Sequence, residues 1–584
     1  MWKFSIALLA VSATLVAQKA APDIDFAEKG EPAQAQFSHA WANRTRDRVP
    51  VIVQYNESRV KPEESFSFAG ATGRRISQGR LLHALDSLDA EILEVTAEEL
   101  EALKADDAVT YISPADREVS GFLDNEVNAV NFWQANDYAN STGRGKGLGV
   151  GVAIIDSGID STHPDFNAWG TTQSRVVYSQ SFIDTVTADL QGHGTHVAGI
   201  VGAVDNINAG TTPRQYFWAP AMDANLINLR VLDAQGKSTD AAVISAIDRA
   251  IAIKSTYNIK VMNLSLGRPV VESYKTDPLT KAVERAWKAG ITVVVAAGNN
   301  GRDNSKATGG YGTITSPAND PYVGAVNLRD DSDPANDVIT SYSSKGPSTI
   351  DYIVKPDLVA PGNLVLSLQA PNGTIVKSYP GNRPALSETD VTSSTTPSSR
   401  YFRMSGTSMA APFVSGAAAL MISYDATLTP DQVKARLMKT AKRYFPKTAS
   451  IYDSTTNQTY TLKHDIFSIG AGMLDISAAF FSTDKPTGSA ASPQAYYDSV
   501  AKKVKLRYNS VSAINVIWGD TGNFASNVIW GDNVSGNNVI WGDNVIWGDA
   551  TVGGFNVIWG DKSPWSAGTA GVSQSLGILV NGER

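Results

Sequence analysis

The chain has no cysteine in 584 residues. That absence excludes disulfides, thiolate zinc sites, iron–sulfur clusters and a cysteine nucleophile in one step. Histidine is scarce, six in all, so imidazole chemistry has few places to sit. Neither sign of charge dominates: 50 Lys+Arg stand against 58 Asp+Glu, for a formal net charge of −8. A mildly acidic chain argues against nucleic acid as the partner, because such binders need a clustered positive face. What is present is a hydrophobic fraction of 42%, ample for a sizeable core. The length suggests three to four domains at about 150 residues each.

Composition divides the chain. Lys3 precedes an apolar run from Phe4 to Ala17 that ends in small residues, the pattern of an export signal over 1–20. This run, and every later one, falls short of the roughly 20 apolar residues that span a bilayer, so a soluble, exported protein is expected. A polar leader follows over 21–47. Residues 48–118 read as a small α+β unit: Val49 to Tyr55 is strand-like, Thr96-Ala97-Glu98-Glu99 is a capping-box pattern, and Ala108 to Ile112 is strand-like again. A unit this small is marginal alone and is expected to dock on something.

Over 125–480, apolar runs (Gly149 to Ile155, Asn225 to Val231, Lys260 to Leu264, Ile291 to Ala297) alternate with helical patterns. Runs apolar on both faces and separated by helices predict an α/β fold, a parallel sheet with helices on both faces. The Ser/Thr/Pro-rich stretch from about Gln369 to Ser399 reads as a surface insertion, and 481–497 as a linker. In 498–584, Asn-Val-Ile-Trp-Gly-Asp begins at Asn515, Asn527, Asn538, Asn544 and Asn556. Val-Ile-Trp favours strand and Gly-Asp favours turn, so a short β-rich stack is expected. Its tryptophans could form that stack's core or face a glycan or cell surface.

Four segments place reactive side chains among glycines. Asp156, in Ile154-Ile155-Asp156-Ser157-Gly158, ends an apolar strand, where α/β proteins place ligands. His193, in Gly192-His193-Gly194-Thr195-His196, stands at a loop-to-helix junction. Ser408, in Ser405-Gly406-Thr407-Ser408-Met409-Ala410-Ala411-Pro412, opens a small-residue helix whose positive end favours a developing oxyanion. Asn299, in Ala297-Gly298-Asn299-Asn300-Gly301, offers a side-chain amide after a strand. Singly, each has a plainer reading as a turn residue, a buried histidine or a helix cap.

Taken together and in this order, these motifs resemble the subtilisin-like serine proteases, the subtilases. The resemblance implies that Asp156 orients His193, that His193 takes the proton of the nucleophile Ser408, and that Asn299 and the Ser408 N–H form the oxyanion hole. It assigns His196 a structural role. It implies that Ser265, Leu266 and Gly267 pair with the substrate backbone, and that Gly298 lines the primary pocket. By the same resemblance, Lys355-Pro356-Asp357 is a structural landmark and residues 48–118 are an inhibitory propeptide, with the tail around Asp116 to Asn125 in the cleft. The chemistry needs no cofactor. A structural calcium ion is implied at Asp165, with Asp205 and Asn208 as further oxygen ligands. The expected activity is that of a secreted serine endopeptidase, made as a self-processing zymogen and acting on proteins or peptides.

Overall fold

The computed structural model describes residues 48–55, 79–85, 90–114 other than 107, 118–121, 130, 135, 145–206, 218–321 other than 306, 338–389, 394–442, 445–453, 456–498 and 503–507. The export-signal and leader readings, Asn208 and the repeats from Asn515 onward lie outside the described residues.

An antiparallel sheet comes first, ordered β2-β3-β1-β4 from β1 (Val49–Tyr55), β2 (Arg80–Leu85), β3 (Ala90–Val95) and β4 (Val109–Pro114). Helix α1 (Ala97–Lys104) starts in the expected capping box, with Thr96 and Glu99 bonding reciprocally. Strand alternation divides the apolar residues between two faces. Val51 and Val53 join Leu100 and Leu103 of α1. Ile52 faces the other way, with Leu85, Ala90 and Ile92, into the core of the larger unit. The expected docking is therefore present. A short strand, β5 (Glu118–Gly121), follows.

The larger unit is built on β6 (Gly151–Asp156), β7 (Val176–Ser181), β8 (Asn225–Arg230), β10 (Ile259–Leu264) and β12 (Thr292–Val295). They form one parallel sheet ordered β12-β10-β6-β8-β7. Its faces are sorted by the same alternation. Val152 and Ile154 of β6 face the cluster holding α2 (His193–Gly202) and α5 (Thr407–Tyr424). Ala153 and Ile155 face the cluster of α3 (Asp240–Tyr257) and α4 (Pro278–Lys288). Two small strands, β9 (Lys237–Thr239) and β11 (Leu266–Gly267), stand apart from this sheet. Strands β13 (Val365–Leu368) and β14 (Tyr401–Met404) form an antiparallel pair on the α2 side, and α6 (Pro430–Thr440) opens with a Thr429/Gln432 capping box.

Residues 481–497 correct the linker expectation at their carboxyl-terminal end. Ala490 and Ala495 are buried, the Val354 N–H donates to Pro493 O at 2.9 Å, and the Ala495 N–H donates to Tyr352 O at 2.7 Å. Small residues read as a spacer, yet they also let a chain lie close against a groove. Ser492 there donates to Asp357, a fully buried carboxylate. Asp357 also meets Lys355 Nζ at 2.7 Å and Lys434 Nζ at 3.0 Å, so the 355–357 landmark is a buried charge cluster. Removing the shared anion would leave two ammonium groups in a dry site. Asp357→Ala is expected to destabilise the fold by about 3–5 kcal/mol, read as a lowered denaturation midpoint.

Candidate active site

Asp156 ends β6, and Ser265 and Asn299 follow β10 and β12, all at the carboxyl edge of the parallel sheet. Asp156 is the last residue of β6, and its Oδ1 accepts from the Ser157 N–H at 2.8 Å. His193 is the first residue of α2 and fully buried, and its Nδ1 lies 2.5 Å from Asp156 Oδ1. A carboxylate accepts, so Nδ1 carries the proton and Nε2 is left as the basic nitrogen.

The start of α2 is held by groups that sequence reading missed. Asp189 is buried, and its Oδ1 accepts from Ser157 Oγ (2.8 Å) and from the N–H groups of Gln191 (3.0 Å) and Gly192 (2.7 Å). Its Oδ2 accepts from the Thr195 N–H at 2.8 Å, while the Gly194 N–H donates to Ser157 Oγ at 2.8 Å. Burial pushes the Asp189 carboxyl up, against the lowering effect of these donors. The Thr374 and Ile375 N–H groups donate to Leu190 O and Gln191 O, both at 3.0 Å, so the 369–399 insertion also braces this loop.

Ser408 sits in the first turn of α5. Pro412, four residues on, has no N–H to give to the Ser408 carbonyl. Ser265 Oγ donates to that carbonyl at 2.7 Å, and Ser408 Oγ donates to Ser265 O at 3.1 Å. Ser265 is positioned in turn by Asn263 Nδ2 (2.9 Å), whose Oδ1 accepts from Ser415 Oγ at 2.8 Å. Gly406 gives α5 no side-chain cap. The Thr407 N–H donates to Asn299 Oδ1 at 3.0 Å and the Met409 N–H to Gly406 O at 2.9 Å, leaving the Ser408 N–H between them. Thr407 Oγ1 also donates to Asn299 Oδ1, at 3.2 Å. With its oxygen anchored twice, the Asn299 carboxamide has its Nδ2 donors left over among the described residues.

With this geometry in place, comparison with known proteins gives a consistent result. The sequence profile of the subtilase family matches residues 147–472. The chain belongs to the subtilase family. It is similar to serine protease AprX of Bacillus subtilis (strain 168), with 32% identity over 419 residues, covering 70% of this chain and 86% of the relative. It is also similar to subtilisin DY of Bacillus licheniformis, 32% identical over 338 residues, covering 57% and 92%. In fold it is similar to fervidolysin from Fervidobacterium pennivorans, whose crystal structure is described as that of a keratinolytic enzyme related to subtilisin. That likeness has a TM-score of 0.52 at 20% identity, covering 76% of this chain and 63% of the other. The chain is thus a subtilisin-like serine protease, and its substrates are proteins or peptides.

In this subtilase the remaining candidate residues fall as follows. Leu266 and Gly267 form β11, which pairs antiparallel with Gly121 and Ser120 of β5. The other edge of β5 pairs antiparallel with β9, giving the order β11-β5-β9. Gly298 has φ +107°, and a Cβ there would come 2.8 Å from both Thr315 Cγ2 and Ser344 Oγ. Only glycine suits this position, and the Thr315 methyl group fills the space beside it. His196 is structural: its Nε2 is 3.1 Å from both Val365 O and Phe402 O, joining β13 to β14. Burial, seconded by the neighbouring His193, drops its pKa to about 3, so it stays neutral.

The calcium reading rests on Asp165 and Asp205, both buried; burial first, and then the charges of these two carboxylates, push the Tyr401 hydroxyl well above its ordinary range. Tyr401 OH donates to Asp165 Oδ2 at 2.7 Å. Asn208 lies outside the described residues, and among the described residues no three His, Asp or Glu side chains gather as a metal site.

Gly194 tests the alignment of the triad candidates. A Cβ there would come 2.2 Å from Gly158 O and 3.1 Å from the Asp156 Cβ, so the start of α2 would have to shift. Gly194→Ala is expected to cut kcat about 100-fold with a smaller change in KM, as follows from misplacing a catalytic base by roughly 1 Å. Steady-state kinetics normalised by active-site titration would measure this.

Proposed function

We propose that the chain is an exported serine endopeptidase that acts through Asp156, His193 and Ser408 and is made as a precursor that processes itself. Ser408 Oγ turns from Ser265 O toward His193 Nε2 and attacks the scissile carbonyl as its proton passes to that nitrogen. Asn299 Nδ2 and the Ser408 N–H hold the tetrahedral oxyanion; loss of one such donor typically costs about 100- to 1000-fold in kcat. The intermediate collapses, the leaving amine takes the proton from His193, and an acyl-enzyme remains. Water then deacylates it with His193 as base, restoring Ser408. Asp156 keeps the proton on Nδ1 throughout and supports the imidazolium. Export rests on Lys3 and the apolar run to Ala17.

The observation that carries the precursor reading is the place of β5. Residues 118–121 lie as the middle strand between β11 and β9, the position an extended peptide would take. They follow directly on the antiparallel unit that docks on α3 and α4. Fluorophosphonate labelling of the wild type beside Ser408→Ala, read by gel and intact mass, tests both parts. Wild type is expected to be labelled and to lose about its first 120 residues, and the variant to do neither. Labelling without that loss would overturn self-processing and leave the nucleophile.

The docked unit covers an ionisable group. Glu272 is buried and accepts from the Tyr111 hydroxyl of β4. Lys281 of α4 donates to Gln54 of β1 at 2.8 Å, and Asp277 caps α4 alongside. Burial and then the Asp277 carboxylate push the Glu272 carboxyl well above its ordinary range, with Lys281 opposing them. A carboxyl raised further by docking favours the docked state while it is protonated, and that advantage is lost as rising pH ionises it. Cleaved amino-terminal unit should therefore be retained at pH 5 and released more readily at pH 8. Glu272→Gln should flatten this difference, measured by size-exclusion recovery of the fragment.

A further inference from the structure

The two strands flanking β5 run directly into a buried ion cluster. Strand β9 ends at Thr239 and the next residue is Asp240, which is fully buried; β11 ends at Gly267 and the next residue is Arg268, also buried. Arg268 Nε donates to Asp240 Oδ1 at 2.8 Å and its Nη2 to Asp240 Oδ2 at 2.9 Å, a two-pronged pair. The same Nη2 donates to Asp277 Oδ1 at 2.7 Å. Asp277 Oδ2 accepts from Ser316 Oγ at 2.8 Å. The main chains of Arg268 and Ser316 bond in both directions, at 2.9 and 2.8 Å. Ser316 directly follows Thr315, the residue packed against Gly298.

We infer that Arg268 is a positioning residue for extended peptide substrates: its fork on Asp240 fixes the spacing between β9 and β11, the strands between which a peptide main chain inserts. This rests on the reading that β5 occupies the substrate's place. The geometry explains why arginine serves here. A peptide strand needs its two neighbours on either side at hydrogen-bonding distance, about 4.8 Å from each. Neither β9 nor β11 belongs to the large parallel sheet, so its ladder does not set their separation. A planar guanidinium holding both oxygens of one carboxylate resists rotation and sliding, whereas an ammonium is a point charge on a flexible stem. The branch through Asp277 to Ser316 carries the same constraint to the wall beside Gly298. A small acyl group that reaches only Ser408 does not use these strands.

The test compares a single-residue ester with a tetrapeptide p-nitroanilide carrying the same residue before the scissile bond, on processed enzyme counted by fluorophosphonate titration. Wild type should prefer the tetrapeptide. In Arg268→Lys, kcat/KM for the tetrapeptide should fall about tenfold, mostly through KM, with the ester changed less than about twofold. Ser316→Ala, which removes a single hydrogen bond and keeps every charge, should show the same selectivity at about threefold and decides the matter if the lysine variant does not fold. Equal losses on both substrates, or no loss on either, overturn the inference alone. A wild type that gains nothing from substrate length overturns the reading of the cleft, and this inference with it.

Discussion

Helix α5 is buried for nearly its whole length, and that constraint organises the site. Sixteen of its 18 residues, from Thr407 to Ile422, are inaccessible. A polar group on such a helix must find a partner or cost free energy. Pro412 creates a deficit at the Ser408 carbonyl, and Ser265 meets it. Ser265 is oriented by Asn263, and Asn263 by Ser415 on the same helix. The closed circuit locks the end of β10 to the first turn of α5, so the candidate nucleophile Ser408 and the strand expected to hold the substrate form one rigid piece. Gly416 permits the depth of burial, since a Cβ there would come 3.0 Å from Val201 O of α2.

The histidine side of the site is fixed by different means. Helix α2 begins with no side-chain cap of its own at Gly192, and Asp189 accepts from the N–H groups around that junction instead. Ser157, next to Asp156, donates to Asp189 and accepts from Gly194, so one hydroxyl ties the loop after β6 to the loop before α2. Arg230, at the end of the neighbouring β8, donates to Ser157 O at 3.1 Å and secures the same turn from beneath. The short Asp156–His193 contact is therefore the outcome of a supported loop pair. Two side chains attracted in isolation would not hold that geometry.

What was legible in the sequence followed from local chemistry. Four of the sheet's five strands, β6, β8, β10 and β12, showed as apolar runs because both faces of each are covered. The capping box at Thr96 showed because its partner, Glu99, is three residues away. The triad candidates and Asn299 showed through glycines and small residues in fixed local patterns. Asp189 lies four residues before His193 but gives no local signal, because its donors are three backbone N–H groups and a serine hydroxyl 32 residues away. Arg268 gives no local signal, because its partners lie 28 and 9 residues away in sequence. The 481–497 stretch read as a spacer because composition does not reveal the groove that receives it. The calcium reading stands on Asp165 and Asp205, two carboxylates beside a neutral tyrosine.

The amino-terminal unit shows the same economy at larger scale. Its sheet is one layer thick, and α1 covers one face. The other face, with Ile52, Leu85, Ala90 and Ile92, would meet water if the unit stood alone, and burying such side chains is worth roughly 1.5–3 kcal/mol each for the larger ones. Helices α3 and α4 present the complementary apolar surface, so each partner covers what the other cannot. Asp240 and Asp277, at the starts of these same two helices, hold Arg268. The surface that receives the unit and the clamp behind the cleft strands thus share two helices, and anything that shifts α3 against α4 acts on both at once. A docked unit that squares these helices would also set the cleft to the width its own strand β5 requires, a physical route by which a segment can shape the site it occupies.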